Sequence, residues 1–191
     1  MRDDIDTRVR LAESVETPRR TLARLARDAS PKVRWKVAQN PRTPTDTLLA
    51  LAGDVNVYVV LRVAENLHTP DSALQGLSLH PDPRVREAAT RHPRITSELL
   101  ERLTFDSDER IRGLAWTRPG LSAAKLTQGA LNSDAQIRGW VAENPSSTPE
   151  VLNLLSTDPE REILSAVYNH FHATPEIRAK AMLCLTLEHE F

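Results

Sequence analysis

Apolar positions in this chain fall into short clusters broken by prolines, and the clusters return every 26 residues. One reads Val33-Arg34-Trp35-Lys36-Val37-Ala38 and closes at Asn40-Pro41. A period later comes Val59-Val60-Leu61-Arg62-Val63-Ala64, and further copies start at Thr7, Val85, Ile111, Ile137 and Ile163, seven in all. The second cluster of each copy is leucine-rich: Leu22 and Leu25, Leu48 and Leu51, Leu74 and Leu77, Leu100 and Leu103, Leu152 and Leu155. Spacings of three and four put side chains on one helical face. No stretch alternates apolar and polar residues as a half-buried strand would. A fixed period of this length means supersecondary units stacked on their neighbours. The pattern predicts an all-α solenoid of about seven two-helix repeats, without sheet.

Helix ends follow from proline and its neighbours. The early helix of a repeat is expected to open at Ser30-Pro31, Asp82-Pro83 and Asp158-Pro159, with the side-chain oxygen as cap and proline in the first turn. It closes before Pro41, Pro93, Pro119 and Pro145, because the residue preceding proline is pushed out of helical geometry. The late helix is expected to open at Thr17-Pro18, Thr43-Pro44, Thr69-Pro70, Thr148-Pro149 and Thr174-Pro175, with threonine as the cap. From Pro175 to Glu190 the repeat gives way to one longer amphipathic helix through Ile177, Ala181 and Leu185, with Arg178 replacing leucine. We therefore expect one solenoid domain over 1–191: an N-terminal cap at 1–6, repeats over 7–174 and a C-terminal capping helix over 175–191.

Composition narrows the chemistry. A net charge of −1 gives no global attraction to nucleic acid or to an anionic membrane. Cys184 is the single cysteine, so no intrachain disulfide, cysteine-type zinc site or iron–sulfur cluster can form, and a reducing cytoplasm fits. The charged start, Met1 to Asp6, has no apolar signal core, and no apolar run is long enough to span a bilayer.

The signature Val-Arg-x-x-Val-Ala-x-Asn-Pro-x-Thr-Pro-x-x-x-Leu-x-x-Leu-Ala, standing at Val33 to Ala52, resembles the leucine-rich repeat variant family. The resemblance covers roughly residues 7–175. It implies a right-handed superhelix of alternating α- and short 3₁₀-type helices, so each repeat is expected to pair an α-helix with a short helix of either α or 3₁₀ type. The cysteine-rich iron–sulfur segment of some members has no counterpart here. Shared fold does not fix activity.

One column of the repeat holds Arg8, Arg34, Val60, Arg86, Arg112, Arg138 and Leu164. At about 100° per residue it lies among the apolar positions of the early helix, where an arginine needs a partner. Twenty residues downstream stand Asp28, Asp54, His80, Asp106, Asn132, Asp158 and Cys184. Arginine coincides with Asp in the pairs Arg8/Asp28, Arg34/Asp54, Arg86/Asp106 and Arg138/Asp158, and the copies lacking arginine lack the acid. The coincidence predicts a structural Arg–Asp ladder within repeats. A second reading, in which the guanidinium edges also face a ligand, stays open.

The opposite face of the early helix carries Arg10, Lys32, Trp35, Lys36, Tyr58, Leu61, Arg62, Arg84, Arg91, Arg110, Leu114 and Trp140, diluted by Glu13, Glu65, Glu87 and Glu143. Basic residues interleaved with aromatics suit a protein interface or stacked bases. A solvated face with tryptophans over the seams between repeats is the plainer alternative. Gly113 and Gly139 share one column, which suggests close approach of another backbone, a ligand groove beside Trp140, or simple drift of the repeat. His170-x-His172 lacks a third ligand, and no phosphate loop, nucleophile elbow or metalloprotease motif is present. We expect no enzyme, cofactor or metal, but a scaffold binding a protein or peptide partner with an acidic or mixed segment. The candidate contacts are Lys32, Trp35, Lys36, Tyr58, Arg62, Arg84, Arg110, Gly113, Gly139 and Trp140. Nucleic acid on the same face is the second reading.

Overall fold

A computed structural model describes residues 4–187. The expected cap residues 1–3 and 188–191, His189 among them, lie outside the described residues. In chain order the helices pair as α1 (Ile5–Glu13) and α2 (Arg19–Leu25), α3 (Pro31–Gln39) and α4 (Thr45–Leu51), α5 (Val57–Glu65) and α6 (Asp71–Leu77), α7 (Pro83–Arg91) and α8 (Ser97–Leu103). Then come α9 (Glu109–Thr117) and α10 (Ala123–Ala130), α11 (Ala135–Glu143) and α12 (Pro149–Leu155), α13 (Arg161–Asn169) and α14 (Pro175–Leu187). There is no strand among the described residues.

Both helices of every repeat are α, which decides between the α and 3₁₀ alternatives for the second helix. Three-residue bonds occur at helix ends, as where Asp28 N donates to Leu25 O and Asp54 N to Leu51 O, and in the connecting turns, as where Thr43 N donates to Asn40 O. Such tightening satisfies carbonyls that the last α-turn leaves open.

The chain divides into two compact units, Met1–Leu99 and Leu100–Phe191. In the first, α1, α3, α5 and α7 pack side by side in chain order, with α2, α4 and α6 against their neighbours. In the second, α9, α11, α13 and α14 do the same, with α10 and α12 against α11. Each unit is thus an all-α stack of the solenoid kind. The first buries Val33, Val37, Val59, Val63 and Val85 against Leu22, Leu48, Leu74 and Leu77. The second buries Ile111, Val141, Ile163 and Val167 against Leu126, Leu152 and Leu155. Isolated two-turn helices are marginal in water. Burying each such side chain contributes about 1.5–3 kcal/mol, so lateral packing holds them.

Early helices are capped as aspartate and asparagine allow. Asn56, Asp82, Asp108 and Asp134 accept the backbone N–H of Tyr58, Arg84, Arg110 and Gln136. Three expectations need correction. Ser30 precedes α3, but its side chain makes no cap bond. Asp158-Pro159 does not open α13, which starts at Arg161; Asp158 turns back to an arginine instead. Thr17, Thr43 and Thr69 do not cap the late helices. They are buried, and their hydroxyls donate to Leu11 O, Val37 O and Val63 O at 2.6, 2.6 and 2.5 Å. Each thus ties the connecting turn to the early helix before it. In the sixth copy the two duties are split: Ser147 donates to Val141 O at 2.6 Å and Thr148 caps α12.

One copy exchanges volume between its helices. Where Ala12, Ala38, Ala64 and Ala142 stand elsewhere, α9 has Trp116; where Leu25, Leu51 and Leu77 stand, α10 has Gly129. A Cβ on Gly129 would lie 2.7 Å from Trp116 Cζ3 and 2.6 Å from Val141 Cγ2. The indole fills the space that the absent leucine leaves. No helix among the described residues is long and apolar enough to cross a membrane.

Candidate binding face of the early helices

The arginine column lies where the early helix meets two loops. Arg34 Nε and Nη2 donate to Asp54 Oδ2 and Oδ1 at 2.6 and 2.8 Å, while Nη1 donates to Asp28 O and Ala29 O at 2.8 and 3.2 Å. Arg138 repeats this with Asp158 at 2.7 and 3.1 Å and with Asn132 O and Ser133 O, both at 3.0 Å. Arg8 Nε donates to Asp28 Oδ2 at 2.7 Å. The forked geometry is the strong, bidentate kind. Arg86 and Arg112 donate to the carbonyls of His80 and Pro81, and of Asp106 and Ser107. Each aspartate also accepts the N–H two residues on, as Ser30 N to Asp28 at 2.9 Å and Asp108 N to Asp106 at 2.9 Å. Burial alone would raise the Asp54 carboxyl. The bonds from Arg34 and Asn56 N outweigh it and hold that carboxyl below the usual range.

A second column, which sequence reasoning read only as a helix stop before proline, joins repeat to repeat. Asn66 Nδ2 donates to Ala38 O at 2.7 Å and Asn40 O at 3.1 Å, one period upstream, and its Oδ1 accepts His68 N at 3.0 Å. Asn40 reaches Ala12 O and Ser14 O, and Asn144 reaches Trp116 O and Arg118 O. His92 and His170 stand in the same column and do the same work. His92 Nδ1 accepts Arg94 N, so Nε2 carries the proton that bonds Asn66 O at 3.0 Å. His170 bonds His172 N and Asn144 O in the same way. Burial is the main cause that holds His170 below the ordinary imidazole range.

The outer face of the early helices carries the candidate contacts. In the first unit the half-buried Trp35 ring has Lys36 Nζ at 4.8 Å and Arg62 Cζ at 5.2 Å. Tyr58, 58% exposed, has Arg84 Cζ at 5.5 Å. The cations are also paired: Lys36 with Glu13 at 2.8 Å, Arg62 with Glu65 at 2.5 Å, Arg84 with Asp82 at 2.7 Å, and Lys32 with Asp6 at 3.9 Å. Arg84 holds the Asp82 carboxyl down at about 2. In the second unit Arg110 pairs with Asp108 at 3.1 Å. Trp140 lies on Gly113, where a Cβ would meet the indole at 2.9 Å; at Gly139 the nearest atom is Ile163 Cγ1 at 3.9 Å. Gly113 therefore makes room for this chain's own tryptophan, whereas Gly139 meets no such constraint. A groove of about 360 Å³ runs beside that indole, lined by Gly113, Leu114 and Thr117 among others.

Two features were missed in the sequence. Lys125 is buried, with Phe105 at 4.0 Å and Trp116 at 5.0 Å from its Nζ, and burial lowers its pKa against the pull of Glu101. Its column, Thr21, Thr47, Ala73, Leu99, Val151 and Ile177, was the available signal of burial. Between α5 and α7 a groove of about 460 Å³ opens over Leu61, Ala64, Leu67, Ala88 and Pro93. Among the described residues no three His, Cys, Asp or Glu side chains converge as a metal site.

No family model matches the chain, and no curated protein does. Among solved structures it is similar to a leucine-rich repeat variant with a novel repetitive structural motif, at 25% identity and a TM-score of 0.61, over 88% of this chain and 72% of that one. A designed armadillo repeat protein in complex with a (KR)4 peptide covers 95% of this chain and 90% of its own, at 12% identity. Its TM-score of 0.29 lends no support to any reading. In repeat signature, helix order and fold this chain resembles that leucine-rich repeat variant.

Proposed function

We propose that this chain is a non-catalytic repeat scaffold that binds a protein or peptide partner along the outer face of its early helices. One observation carries the reading: the cations of that face are neutralised by carboxylates of the same face, while aromatic and apolar groups between them remain open. Lys36, Arg62, Arg84 and Arg110 each stand within 3.1 Å of an acid, and Arg91 stands 2.9 Å from Glu87. A phosphate backbone draws its affinity from cations free to replace counterions. A protein interface instead favours aromatic and arginine anchors with a balanced polar rim. The partner is accordingly a mixed segment with apolar anchors, not a strongly acidic one, and a reducing cytoplasm remains the setting.

Peptides selected on the full chain from a random library test this. Binding is expected to weaken about tenfold or more in a Trp35→Ala/Arg62→Ala variant, with only a shallow dependence on salt. Selected peptides indifferent to Trp35, Arg62, Tyr58 and Trp140 would place the interface elsewhere. Tight binding of single-stranded oligonucleotides at low salt, with a slope of several phosphates, would replace the protein reading.

A further inference from the structure

The stacking has a rule that the groove over Leu61 breaks. The column of Trp35, Leu61, Glu87, Gly113 and Gly139 provides a seat on each early helix. Where the seat is filled, the filler is the residue 27 positions further on: Arg62 over Trp35 at 5.2 Å, and Trp140 against Gly113. Over Leu61 that position is Ala88, a methyl where the other two copies have a guanidinium and an indole. The groove of about 460 Å³ is what the short side chain leaves open.

We propose that the hollow over Leu61 is an anchor pocket for one large uncharged side chain, Trp, Phe or Leu, of a peptide partner. This rests on the reading above for the class of partner, and adds where and by what that partner is held. The repeat itself indicates the size of the occupant, because equivalent seats hold a guanidinium and an indole of the chain. The surroundings select its polarity. Leu61, Ala64, Leu67, Ala88 and Pro93 supply its apolar lining, and Glu65, Arg84, Glu87, Arg91 and His92 complete it. The rim charges are engaged with one another: Glu65 with Arg62 at 2.5 Å, Glu87 with Arg91 at 2.9 Å, and Arg84 with Asp82 at 2.7 Å. A charged occupant would have to break one of these pairs; an apolar one leaves them whole and is ringed by them, as interface anchors are. Leu67, 65% exposed where Pro41 and Pro93 stand in adjacent copies, extends the apolar wall toward solvent. The volume lies within the usual range for ligand pockets, about 300–1,000 Å³.

The decisive variant fills the hollow from within. Ala88→Trp supplies the missing filler at an exposed-side helical position, and Ala88→Arg does so with the guanidinium used over Trp35. The full chain is titrated with N-acetyl-tryptophanamide, N-acetyl-leucinamide and N-acetyl-glycinamide, and methyl resonances are followed by NMR. The expected result is saturable shifts at Leu61, Ala64, Leu67 and Ala88 with the first two probes, at about millimolar affinity, and none with the third. Both Ala88 variants, folded by circular dichroism, should lose the shifts of the remaining methyls and bind library-selected peptides at least tenfold more weakly. Absence of saturable shifts, or shifts unchanged in both variants, overturns the pocket. Peptides sensitive to Trp35→Ala/Arg62→Ala but indifferent to Ala88→Trp and Ala88→Arg would sink the pocket and leave the binding face standing. Peptides indifferent to all four would remove both.

Discussion

Arg34 is held by four acceptors on two loops, and its side chain is only 14% exposed beside an Asp54 at 6%. Removing it strands a buried carboxylate and two carbonyls. Arg34→Ala should lower the unfolding free energy by about 3–5 kcal/mol. Arg62→Ala, which breaks a half-exposed pair one turn apart on the same helix, should cost about 1 kcal/mol or less. Urea denaturation of the two variants checks the contrast; equal losses would mean that the ladder is ordinary surface electrostatics. His170 makes stability depend on pH. Its folded pKa is depressed, chiefly by burial, so its contribution is present above the ordinary imidazole value of about 6.5 and fades as pH falls below it. Protonation would also cost Nδ1 its bond from His172 N. Chain stability should therefore drop between about pH 6.5 and 5 by more in the native chain than in His170→Asn, which keeps the column's donor without the titrating ring.

Between helices, sterics decide more than propensity. Gly113→Ala puts a methyl 2.9 Å from a Trp140 ring carbon and should cost about 1–3 kcal/mol as the indole is displaced. Gly139→Ala meets nothing closer than 3.9 Å and should gain about 0.5–1 kcal/mol from helix propensity. Thermal melts of the two variants should move in opposite directions. In the sequence these glycines are indistinguishable, because the difference lies in what the next repeat places on them. The same holds for the threonines. Thr-Pro is a proper cap signature, yet Thr17, Thr43 and Thr69 share their column with Ile95, Leu121 and Ala173, and that apolar company marks a buried position. Helix number followed from period and proline, whereas the choice of α over 3₁₀ for the second helix did not. The Arg–Asp coincidence was visible because a buried charge leaves both partners in the sequence. The asparagine column was not: its acceptors are backbone carbonyls, which carry no residue signature. The hollow over Leu61 escaped as well, since it is made by a side chain that is too small.

Across the molecule, each column has one task. Hydrophobic positions fill each unit, the arginine column ties loops within and between repeats, and the asparagines and histidines of the third column pin early-to-late turns to the preceding turn within each unit. The outer face is left free of these tasks, which is why it can vary between copies and why we assign binding to it. The claim that everything else follows is that repeats are held laterally by interchangeable side chains at fixed columns. It is tested most directly by amide hydrogen exchange in α3 and α5 of Asn66→Ala and Asn66→His. Alanine leaves Ala38 O, Asn40 O and His68 N without their partners and should reduce protection of both helices by about 2–3 kcal/mol. Histidine, which serves this column at His92 and His170, should restore most of it. Protection unaltered by alanine, or lost equally with histidine, would contradict the account.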